Sequence, residues 1–288
     1  MLNRRIVVAI ISLALVSMAC GVTINLPVDQ ITTGPTQTEE INVTAPVTDT
    51  ADLTLTFGAG ELDVQSGSED ALVSGTATYN VPEFKPKIKV DSQKVRLETG
   101  NLDIHGIPTF KNSDIINKWD LKLSDQPMEL TINAGAYQGD IDLGGLALKS
   151  LEVNDGAAET VLKFSEPNKT EMETLRYITG ASNVKLSGLA NANFTSMIFR
   201  SGAGNYTLDF SGVLQRDAVV TVESGFSQLI IIVPEGTSAK VLFKGGLTNM
   251  ELSGSWKKSG DAYVLGSGSP LITISMDMGA GNLSLRTK

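Results

Sequence analysis

The chain of 288 residues carries one cysteine and one histidine. No disulfide can form within it, no Cys/His zinc cluster can be assembled, and histidine chemistry would have to pass through His105 alone. Aromatic residues are scarce at 6%, which weighs against a core built from large rings. Positive charge is in deficit, with Lys+Arg 23 against Asp+Glu 32 and a formal net charge of −9. Such a chain has no basic field for phosphate backbones, so nucleic acid is not an expected partner. No stretch after Thr50 sustains an i, i+3, i+4, i+7 apolar stripe through its glycines, which argues against a helical core. The Gly-Gly-x-Gly-x-Asp cage of calcium β-rolls is missing too. Gly58-Ala59-Gly60 and its copies lack the following helix and the Lys-Ser/Thr of a phosphate loop, so no metal or cofactor is expected.

What is present begins with a core-forming composition, 41% hydrophobic and 19% charged, with 28 glycines that favour tight turns. Arg4 and Arg5 precede an apolar run over residues 6–16, a pattern of the length of a signal-peptide core. Ser17-Met18-Ala19-Cys20-Gly21 follows, and it resembles a bacterial lipobox. That resemblance implies cleavage before Cys20, diacylation of its sulfur and anchoring through membrane lipid. An ordinary secretory signal or an uncleaved anchor are the other readings of the same residues. Loss of residues 1–19 removes both arginines and no acid, taking the formal charge from −9 to −11. Residues 20–50, rich in Thr and Pro, show no sustained period and read as a flexible tether.

The remainder reads as a repeat. A short alternating strand, a small-residue turn and a second alternating strand recur, as in Leu53-Thr54-Leu55-Thr56-Phe57-Gly58-Ala59-Gly60-Glu61-Leu62-Asp63-Val64. Copies surround Gly156, Gly180, Gly202, Gly225 and Gly279, and the first four of these are spaced by 24, 22 and 23 residues. A coil of this length cannot enclose a core alone, but stacked coils bury one continuous apolar column. The expected fold is all-β, a single-stranded β-helix, or β-solenoid, of about 22-residue coils. Its corners are expected to be small and often to need positive φ, which selects glycine and asparagine. A barrel or sandwich would also alternate, but it predicts hairpins and no fixed period. The expected organisation is a signal peptide over 1–19, a tether over 20–50, first coils plus an irregular cap over 51–127, and a regular solenoid over 128–288. Residues 254–270 read as an enlarged loop within the last coils.

Several of these stretches resemble a known family. Gly58-Ala59-Gly60-Glu61-Leu62-Asp63-Val64, Tyr79-Asn80-Val81-Pro82-Glu83-Phe84, Trp119-Asp120-Leu121 and Leu189-Ala190-Asn191-Ala192-Asn193-Phe194 are similar to the bacterial "toast rack" lipoproteins. Those are related to β-solenoid domains of candidate adhesins and of cell-wall-active-antibiotic response proteins. The resemblance runs from Ala51 to the carboxyl terminus and implies an envelope-associated β-helix. Its motifs are turn and core residues, so it transfers no catalytic or ligand-binding position.

Candidate chemistry is thin. His105 lies in a turn context, Ile104-His105-Gly106-Ile107-Pro108, with no nucleophile elbow to serve. Asp140, Asp142, Asp155 and Glu159 could supply the carboxylate pair of a glycosidase, although acids at outward strand positions are more often a solvated face. Leu229-Ile230-Ile231-Ile232-Val233 is apolar at five successive positions. One parity must face away from the core, so Ile230 and Ile232 are the candidate partner surface. The expected function is a lipid-anchored, exported, non-enzymatic interaction, adhesion or structural module at the cell envelope, binding an envelope protein or glycan. The alternatives are an accessory or sensor protein of envelope stress and a polysaccharide-acting β-helix enzyme.

Overall fold

A computed structural model describes residues 30–31, 33–47, 49–100, 109–110 and 115–288. In chain order the strands are β1 (Gln30–Ile31), β2 (Gln37–Val43), β3 (Ala51–Ser66), β4 (Val73–Tyr79), β5 (Lys87–Asp91) and β6 (Lys94–Glu98). Then come β7 (Thr109–Phe110), β8 (Asn117–Leu123), β9 (Met128–Asp142), β10 (Leu148–Lys163), β11 (Met172–Ser187) and β12 (Phe194–Asp209). The last are β13 (Ala218–Val233), β14 (Ser238–Ser253), β15 (Lys257–Ser259), β16 (Ala262–Leu265) and β17 (Leu271–Thr287). One small unit holds β1 and β7, paired parallel. The other holds every remaining strand in one sheet.

The repeat arises from how one long strand changes face at its middle. In β10 the buried residues are Leu151, Val153 and Asp155, then Ala158, Thr160 and Leu162, with Gly156 and Ala157 exposed between them. Two successive outward residues shift the inward parity by one, so each strand forms two legs that meet at a glycine corner. Parallel pairing of β9, β10, β11, β12 and β13 stacks these corners in register. Inward residues therefore form ladders: Leu53, Leu130, Leu151, Leu175, Met197 and Val220 are neighbours in turn, all at most 1% exposed. Each such aliphatic side chain contributes about 1.5–3 kcal/mol on burial. Parallel strands with this register exclude the hairpin-connected barrel or sandwich.

Corner glycine is required first for its small size. A Cβ on Gly180 would lie 2.4 Å from the Gly156 carbonyl oxygen, and one on Gly202 would lie 2.8 Å from that of Gly180. The same clash recurs at Gly225 against Gly202 and at Gly279 against Gly225, and none of these four has a positive φ. Close approach of stacked backbones selects glycine here. Positive φ applies two residues later, at Gly60, Gly204 and Gly281. Behind the two legs, the connecting turns are fastened by asparagine amides. Buried Asn168 accepts from Leu148 N at 2.8 Å and donates to the carbonyls of Leu148 and Thr170, both at 2.8 Å.

Two further features depart from the expectation. The tether reading of residues 20–50 fails over β2, which pairs antiparallel with β4 and buries Ile41 and Val43 at 3% each. Two inward apolar residues suffice there because β4 supplies the hydrogen-bonding template. The tail of the stack is also not a simple succession. After β13 the chain skips a rung and builds β14 on the outside; β17 then returns to fill the gap, parallel to both neighbours. Residues 254–270, read as a loop, contain the β15–β16 hairpin, and β16 pairs antiparallel with the first leg of β14. At the opposite end β6 covers the first leg of β3 and β8 covers its second.

Candidate functional site

A large concavity lies on the solvent side of the first legs, beside the β15–β16 hairpin, and measures about 1110 Å³. The stacking register lines up its charges. Arg200, Glu223, Asp277 and Lys244 are successive neighbours on β12, β13, β17 and β14. Arg200 and Glu223 form an ion pair, Nε to Oε2 at 2.9 Å, while Asp277 and Lys244 have no ionic partner among the described residues. The hairpin supplies the far wall with Lys258, Asp261 and Tyr263, and Lys258 Nζ lies 6.0 Å from the Tyr263 ring centre. Buried Trp256 and Leu265 fix that hairpin to the body. The sheet thus presents charges of both signs beside an aromatic ring, groups that can bind a polar partner.

The four candidate carboxylates do not all meet at one site, and only Asp140 and Glu159 share a depression. Asp155 faces the interior and is 8% exposed, whereas Glu159 lies on the exposed face. Asp142 caps a turn, accepting from Gly144 N at 3.0 Å and from Ser165 Oγ at 2.9 Å. Asp140 and Glu159 share a shallow depression of about 300 Å³ with Glu61 and Asp63. Lysines serve three of these four acids, Lys118 lying 3.3 Å from Glu61 and 3.1 Å from Asp63, and Lys163 3.7 Å from Asp140. Among the described residues no group of three His, Cys, Asp or Glu could hold a metal ion. Cys20 and His105 lie outside the described residues.

Asp155 is instead a buried structural acid. Tyr177 donates to its Oδ2 at 2.7 Å and Tyr137 at 3.4 Å, while Oδ1 has no partner. Burial pushes its carboxyl pKa up from 3.8, against the hydrogen bonds from Tyr177 and Tyr137 that pull it down. A folded-state pKa above the unfolded one means that the native state holds this proton more tightly. Stability is therefore gained as pH falls through the folded pKa and is lost as pH rises through it. Asp155→Asn should remove that component. Denaturant unfolding between about pH 4 and 8 should show wild type losing more stability with rising pH than the variant, and parallel profiles would refute the assignment.

Ile230 and Ile232 do not lie on a free edge. β13 is flanked by β12 and β17, which place Ile230 between Thr207 and Ser284 and Ile232 between Asp209 and Arg286. Both are half-buried, and Ile230 lines a groove of about 320 Å³ on the second legs whereas Ile232 does not. The groove residues Lys244, Lys258 and Asp277 escaped the sequence reading because the β14–β17 exchange brings together segments that follow no fixed period.

Comparison with known proteins agrees with this architecture. Residues 32–177 match the family described as the N-terminal domain of toast_rack, DUF2154. No curated protein matches the sequence. Among solved structures, "a putative cell adhesion protein from Clostridium sporogenes" is similar with a TM-score of 0.52 at 20% identity, covering 88% of this chain and 100% of that one. "A putative adhesin from Bacteroides fragilis" gives a TM-score of 0.44 at 11% identity, covering 89% and 99%. The first of these likenesses shows a shared fold. Because the family match spans just over half of its length, the chain belongs to the toast rack family.

Proposed function

We infer that this protein is an envelope surface module, lipid-anchored through Cys20, that works by binding a partner and performs no catalysis. The observation that carries the reading is the first-leg groove. It is large and lined by Asp277, Lys244, Lys258 and Asp261, none of them in an ion pair among the described residues. Charges of both signs beside Tyr263 suit a polypeptide carrying both signs better than a polyanion, which the net charge of −9 would repel. The adhesion names carried by its structural neighbours support a binding role. Export and anchoring rest on Arg4, Arg5, the apolar run and Cys20, since two or more acyl chains give stable membrane attachment.

The test uses the full chain and its Cys20→Ala variant. The wild type should fractionate with membranes and the variant should not. The immobilised full chain should bind saturably to the membrane-protein fraction of its own envelope, with no breakdown of the glycan fraction in parallel samples. Glycan turnover abolished by a carboxylate substitution would replace this reading with an enzyme, and membrane fractionation unchanged by Cys20→Ala would remove the anchor.

A further inference from the structure

The outer face of the second legs carries a row of side-chain amides. Asn183, Asn205, Gln228, Asn282 and Asn249 occupy one register position on five adjacent strands, and all five are exposed. The row continues through Glu159 to Gln138. Five rungs at the strand spacing of about 4.8 Å span about 19 Å. A purely structural amide ladder would bond each rung to the next. Only Asn205 does so here, donating from Nδ2 to Asn183 Oδ1 at 2.8 Å, whereas the side chains of Gln228, Asn282 and Asn249 make no hydrogen bond among the described residues.

The row also borders a built depression. The groove of about 320 Å³ is lined by Asn183, Asn205 and Gln228 on one side and by Val161, Thr207 and Ile230 from the neighbouring register row. Each amide offers both donors and an acceptor, the complement of a hydroxyl, while Val161 and Ile230 offer apolar surface at the two ends of a row that Lys185 and Thr207 complete. Along the five amides the charges are few and of both signs, with Glu159 at one end, Lys185 in the groove lining and Glu251 near Asn249; beyond Glu159 the row meets the acidic depression of Glu61, Asp63 and Asp140. The rung spacing is close to the length of one pyranose ring in an extended chain. We propose that this amide row is a binding site for an uncharged, extended glycan lying along the stack, with about one sugar per rung. The site is separate from the first-leg groove and does not depend on it.

Cellohexaose and chitohexaose, with the matching disaccharides, are the probes, titrated into the full chain in detergent micelles. At least one hexasaccharide should bind tenfold or more tightly than its disaccharide, because successive rungs add contacts. The triple variant Asn183→Ala, Asn205→Ala, Gln228→Ala should lose tenfold or more of that affinity with an unchanged Tm, since all three side chains are exposed. Lys244→Glu in the first-leg groove should leave it unaltered, so this site and the first-leg groove are tested separately. Absence of binding by either hexasaccharide, or binding indifferent to the triple variant, would overturn the proposal. A lower Tm for the triple variant without glycan binding would likewise overturn it and make the row structural.

Discussion

Gly180→Ala should destabilise the body by about 1–3 kcal/mol, the range for forcing extra atoms into a packed site, while Gly58→Ala should be neutral or slightly stabilising. Both residues occupy the same corner position, yet their surroundings differ. A Cβ at Gly180 would meet the Gly156 carbonyl oxygen at 2.4 Å, whereas one at Gly58 finds nothing within 4 Å. Gly58 begins the ladder, so no rung stands where its Cβ would point. The expected gain there is up to about 1 kcal/mol, because alanine restricts the unfolded chain more than glycine does. Gly156→Ala, with its Cβ at 3.0 Å from the Gly135 carbonyl oxygen, should fall between the two. Urea unfolding of the three variants measures the series. Equal effects at Gly58 and Gly180 would show that backbone freedom, rather than close approach of rungs, selects the glycine.

Trp119→Ala should cost about 3–5 kcal/mol, the usual range for truncating a large buried ring. Trp119 is the largest fully buried side chain, at 0% exposure, and stands opposite Leu62 on the strand that covers the second leg of β3. Its ring meets Phe57 edge to face, centres 5.1 Å apart at 65°. Removing it uncaps the apolar column at that end of the stack, so soluble yield should fall along with stability. Its indole N–H has no hydrogen-bond partner among the described residues. Trp119→Phe should therefore cost well under half as much, since it keeps an aromatic ring and removes a buried unpaired donor. Thermal unfolding followed by circular dichroism separates the two variants. Equal losses would mean that the indole itself, not the capping ring, matters.

Much of the fold was legible because the code is local. Alternation in Leu151-Glu152-Val153 and a glycine every turn of the stack specify a leg, a corner and a parallel register without any long-range information. The segments that misled are those whose structure is supplied by a neighbour. Glu39-Glu40-Ile41-Asn42-Val43 is too polar to declare itself a strand, and it becomes one on the edge of β4. The β14–β17 exchange is hidden for the same reason, since Lys244-Gly245-Gly246-Leu247 looks like an imperfect copy until β17 is seen beside it. Site residues were harder. The first-leg groove and the amide row are register rows, made by residues that are adjacent in space and separated by whole coils in sequence. Leu229-Ile230-Ile231-Ile232-Val233 did signal a second apolar face, but only Ile230 reaches a groove.

If this protein binds its partner through the groove on the first legs, amide hydrogen exchange on the full chain, with and without the membrane-protein fraction of its envelope, will locate the contact. Slowed exchange is expected only in β15 and β16 and in the facing residues 242–244 and 275–277, abolished by Lys244→Glu with Lys258→Glu. Slowed exchange elsewhere with these segments unchanged, or protection indifferent to both substitutions, would contradict this reading.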